Sequence, residues 1–131
     1  MEPYVHAVNL VLWIIAGLLA VVFLGAGVMK VLQPKEKLAE SGLAWTESFS
    51  TGTIKLIGVL EILAAIGLIL PPLLDIAPVF VPLAAVGLVL MMIAAAVTHG
   101  RRKEYPMIAG NVVLLLLAAV VAWGRFGPYA F

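Results

Sequence analysis

The chain has 131 residues, of which 64% are hydrophobic and 11% charged, with a mean hydropathy of +1.17 and a formal net charge of +1. That balance excludes an ordinary soluble domain, and the small charge excludes a nucleic-acid partner, which needs a basic surface. Cysteine is absent, so thiol–disulfide exchange, iron–sulfur ligation and zinc–thiolate sites are excluded too, and any redox chemistry needs electrons carried by another molecule.

The head, Met1 to Val8, contains Glu2 and His6 but no Lys or Arg. The first apolar segment follows it without a basic leader region, so it reads as a retained span over about 9–31. Asn9, Ala16, Phe23 and Lys30 recur at intervals of seven and share one helical face with Ala26. Gln33 to Gly52 is the longest polar connection; Pro34 starts a short helix, KEKLAES, which Ser41-Gly42 ends. Leu43 and Trp45 are expected at headgroup level, and Thr51-Gly52-Thr53 supplies the cap of the next helix.

The second span, over 54–70, carries a carboxylate, Glu61, about 9 Å beyond the interfacial Lys55. An ionised Glu facing lipid costs several kcal/mol, on the order of 3, so Glu61 must be neutral, paired or turned toward other helices. Gly58, Ala65 and Leu68 lie at i−3, i+4 and i+7 from it, and small residues on that face let helix backbones approach. Pro71-Pro72 is expected to end the span, and Asp75 is the only charge of the PPLLDIAP turn. The third span, over 79–98, has Pro82 in its first turn and small residues at Ala84, Gly87, Ala94 and Ala95, with Met91-Met92 to fill irregular gaps. His99-Gly100 is expected to close it. The fourth span, over 107–123, contains Asn111 and is followed by Arg125, which with Trp123 and Tyr129 marks an interface.

Basic residues gather at the first and third connections: Lys30, Lys35, Lys37 and Lys55, then Arg101, Arg102 and Lys103. The expected fold is therefore an all-α membrane four-helix bundle in one domain over 1–131, with both termini on the non-cytoplasmic side. In this topology Lys30, Glu61, His99 and Asn111 form one polar layer in the cytoplasmic half. It reads either as a small ligand pocket or as a self-satisfied network that fixes helix register. In the pocket reading Glu61 is the anchor, Lys30 and His99 set the charge, and Asn111 donates a hydrogen bond. Helix packing is assigned to Gly58, Ala65, Ala26, Gly87 and Ala95. No phosphate loop, nucleophile triad or metal-ligand set occurs in the sequence, so no catalytic residue and no metal site are assigned.

The segments FLGAGVMKVL, GLAWTESFSTGTIKLIGVLEILAAIGLILP, PLAAVGLVLMMIAAAVTH and LLLLAAVVAWGRFGP together resemble the DoxX-like family of small four-span bacterial membrane proteins, over nearly the whole chain. The resemblance implies a four-helix membrane bundle with Lys30, Glu61 and His99 on the family's polar signature. It also implies the bacterial cytoplasmic membrane and an association with quinone-linked redox or oxidative-stress complexes; a vertebrate relative is a receptor-assembly chaperone. The leading expectation is an accessory protein, not catalytic by itself, that binds a lipid-soluble ligand, a quinone or lipid, around Glu61. Its partners would be membrane lipids, a membrane redox protein and a second copy of the chain. The alternatives are an assembly chaperone or scaffold acting through helix packing and, with least support, a small-solute transporter.

Overall fold

A computed structural model describes residues 3–131. Among them the elements are α1 (Pro3–Leu32), α2 (Lys35–Glu40), a 3₁₀ turn (Ala44–Ser48), α3 (Thr51–Leu73), α4 (Phe80–Arg101) and α5 (Tyr105–Phe126). The four long helices α1, α3, α4 and α5 are each long and apolar enough to cross a bilayer. They are apolar nearly all round, so leucines and valines such as Leu18, Val21, Leu63, Leu90 and Leu116 stay exposed on the outside, where a bilayer solvates them.

Helix α1 packs chiefly on α3 and α4 on α5, while α3–α4 and α1–α5 contacts close the bundle. Its centre is a dry cluster in which Leu19 and Phe23 meet Leu68, Val81, Leu88 and Val121. Asn9, Ala16, Phe23 and Lys30 all lie on the inward face of α1, with Ala16, Phe23 and Lys30 fully buried.

Several boundaries differ from the sequence expectation, each for a local reason. Helix α3 runs through Pro71 and Pro72 to Leu73 instead of stopping before them. Proline's fixed φ suits a helix, and although the two missing N–H groups give up the bonds to Gly67 O and Leu68 O, the chain holds one more turn before it leaves the helix. Leu74 N–H still reaches Leu70 O at 2.9 Å, and the chain turns at Asp75 and Ala77, both with positive φ. The cap of α3 is Ser50 rather than the Thr-Gly-Thr run, its hydroxyl accepting from Thr53 N–H at 3.2 Å. Helix α4 passes His99-Gly100 and ends at Arg101, because Lys103, at φ 58°, takes the left-handed position expected of glycine. The short helix after Pro34 forms as read, and Gly42, at φ 99°, ends the turn after it.

Candidate functional site

Glu61 lies ten residues after the start of α3, about 15 Å along its axis. The residues buried with it on α3 are Ile54, Gly58, Ala65 and Leu68, so the small-residue face is the one turned inward. Gly58 meets Gly27 of α1: a Cβ on Gly58 would sit 2.8 Å from Gly27 O and 2.9 Å from Lys30 Cβ, and one on Gly27 would sit 2.6 Å from Gly58 O. Backbone therefore touches backbone, and the stem of Lys30 is carried alongside Glu61. Lys30 Nζ lies 2.7 Å from Glu61 Oε1, with the two residues 7% and 3% exposed. At this distance the pair is a charge-assisted contact held out of water. Ala26 is half-buried beside this crossing, and Ala65 is buried further along it. Gly87 is exposed, with open space where a Cβ would stand, while α4 makes its close approach to α3 at Ala84, opposite Gly67.

Around the ion pair is a cavity of about 360 Å³, in the size range of small-molecule pockets. Lys30, Glu61, His99 and Asn111 all line it, together with Ile57, Met91, Met92, Ala95, Thr98 and Met107. Its wall is mostly apolar. Asn111 Nδ2 donates weakly to Met92 Sδ at 3.8 Å, and Asn111 Oδ1 is buried without a partner. His99 is 6% exposed, and its Nδ1 lies 3.0 Å from Glu104 Oε1, which leaves Nε2 for whatever occupies the cavity.

Leu43, Trp45 and Phe49, from the connection between α1 and α3, roof this cavity. Trp45 is half-buried; its ring centroid lies 5.7 Å from Lys30 Nζ and 5.7 Å from the ring of Phe49. The roof is tied from within by the buried Thr46, whose Oγ1 donates to Leu43 O at 2.7 Å. From the α4–α5 turn, Arg102 Nη1 donates to Ser48 Oγ at 2.7 Å and Arg102 Nε to Glu104 Oε1 at 3.2 Å. Glu104, Arg102 and the aromatic roof were not singled out from the sequence. The one signal for Glu104 is the helix end that brings it back: its N–H donates to His99 O at 2.8 Å.

The His99 hydrogen bond, helped by the Arg102 charge and opposed by burial, lowers the Glu104 pKa below its ordinary value. A depressed folded pKa means that the stability contributed by this carboxylate is fully present above its unfolded value, about pH 4.5, and is lost as pH falls through the lowered value. The roof is thus expected to stay closed at pH 5 and to loosen only in stronger acid. Acrylamide quenching of Trp45 in a variant lacking Trp13 and Trp123 measures this, and Glu104→Gln should abolish the acid transition. An unchanged transition in that variant would assign it to another group.

At the opposite end of the bundle, Arg125 is 5% exposed, while Trp123 beside it is exposed. Its Nη1 donates to Asn9 Oδ1 at 2.7 Å and to Tyr129 O at 2.9 Å, and its guanidinium lies 3.9 Å from the ring centroid of Phe131. It ties the tail to α1.

Four apolar helices, a polar layer toward one end and a roofed cavity within that layer define a multi-pass membrane protein. The DoxX-like family model matches residues 14–121, and the chain belongs to that family. No curated protein and no solved structure matches it.

Proposed function

We propose that the protein is an accessory subunit of the bacterial cytoplasmic membrane that binds the ring of a lipid-soluble hydroquinone or quinone in the cavity around Glu61. Both termini would lie on the non-cytoplasmic side, because the ends rich in Lys and Arg surround the cavity. The observation that carries this reading is that Asn111 Oδ1 is a buried acceptor without a donor, in an otherwise apolar cavity that also holds the Lys30–Glu61 ion pair. A buried unsatisfied acceptor costs about 1–3 kcal/mol, and a ligand hydroxyl removes that cost. Hydroquinone hydroxyls supply such donors; in the oxidised form, ring carbonyls would accept from Lys30 Nζ instead. Trp45, Phe49 and the three methionines supply flat and adaptable apolar contact for the ring. Electrons would pass to or from a partner membrane redox protein.

The scaffold alternative draws on small-residue helix faces, and Gly58 and Ala65 are already buried within the bundle. The test is a titration of the protein in lipid nanodiscs with a short-tailed hydroquinone, followed by Trp45 quenching. Asn111→Leu, close in volume and placed among apolar neighbours, should weaken binding about tenfold, equivalent to ~1.4 kcal/mol, with little change in thermal stability. Absence of saturable quenching in the unaltered protein would sink the proposal.

A further inference from the structure

A second apolar depression, about 550 Å³, runs along the outer seam between α3 and α4. It begins where the ring cavity stops: Met91 lines both, and Leu60, beside Glu61 in sequence, lines the groove. Gly67 and Ala84 form a floor where the two helices come together, a Cβ on Gly67 falling 3.2 Å from that of Ala84. From Met91 to Phe80 the groove follows twelve residues of α4, about 16 Å end to end, or half the thickness of the hydrocarbon core. Its lining is apolar throughout.

We propose that this groove holds the hydrocarbon tail of the ligand whose ring occupies the cavity, with the Met91 side chain as the movable wall between them. The inference rests on the ring-binding reading and extends it: the ligand is a long-tailed amphiphile that arrives sideways from the bilayer, not a free ring from water. Two features favour a tail over other occupants. The groove shares its Met91 wall with a cavity that offers polar partners to a head group, and its apolar lining runs along α4 for about half the thickness of a bilayer core. A methionine, unbranched and with three rotatable bonds, is well suited to a wall that must yield to a chain.

Two photoreactive hydroquinones test this, one carrying a diazirine on the ring and one carrying it near the end of a long tail. In the unaltered protein the ring probe should label peptides that line the cavity, and the tail probe should label α3 and α4 along the groove. Gly87→Leu has open space at its Cβ and fills the groove without touching the cavity; it should reduce groove labelling by the tail probe several-fold and leave ring labelling unchanged. Leu63→Trp, at an exposed groove position, is the second such variant. Tail labelling that is scattered over α1 and α5, or insensitive to both variants, overturns the inference and leaves ring binding standing. Tail labelling blocked by a second copy of the chain crosslinked across the groove overturns it in favour of a dimer contact. Absence of ring labelling overturns both readings.

Discussion

Lys30→Met is expected to destabilise the bundle by about 3–5 kcal/mol, because it leaves the Glu61 carboxylate buried without its cation. Adding Glu61→Leu to the same chain should restore most of that loss, since a buried ion pair exchanged for apolar groups of similar size is often neutral or better. The double variant should nonetheless fail to bind hydroquinone. Equilibrium unfolding in detergent micelles measures the first two effects, and the Trp45 titration measures the third. Recovery of both stability and binding in the double variant would mean that the pair serves packing alone.

Gly58→Leu should also destabilise the bundle, for a different reason. Even a Cβ at this position would lie 2.8 Å from Gly27 O, backbone that cannot rotate away, so α1 and α3 must separate. Overpacking of this kind costs about 1–3 kcal/mol. Because Lys30 Cβ lies 2.9 Å from the same point, separation also pulls Nζ from Glu61. Ligand affinity should therefore fall with stability, and Gly58→Ala should show the same pattern at smaller amplitude. Loss of stability with unaltered affinity would break the link between the helix crossing and the site.

The bundle was legible because long apolar runs admit few structures in a bilayer, and the inward face of α3 followed from helical spacing around Glu61. Gly27 was not legible: Ala26 and Gly27 are adjacent small residues, and only the rotation of α1 decides which one meets Gly58. Gly87, placed at a contact by its smallness, instead borders the outer groove, since the α3–α4 approach is made at Gly67 and Ala84. The roof was hidden for another reason. A Trp in a polar connection has the same local sequence whether or not it folds onto Lys30, and that fold is held in part by Arg102, 54 residues beyond Ser48. Glu104 was hidden by a left-handed Lys103, a position that sequence rules reserve for glycine.

The dry cluster formed by Leu19, Phe23, Leu68, Leu88 and Val121 separates the two polar ends of the bundle. On one side lies the roofed cavity; on the other, Arg125 is clasped by Asn9 and the tail. In electrical terms that layer is an insulator, with no polar atom among its side chains to pass a proton along. A voltage across the bilayer would fall largely over it. Water and polar solutes that reach the cavity would then do so from one side of the membrane only.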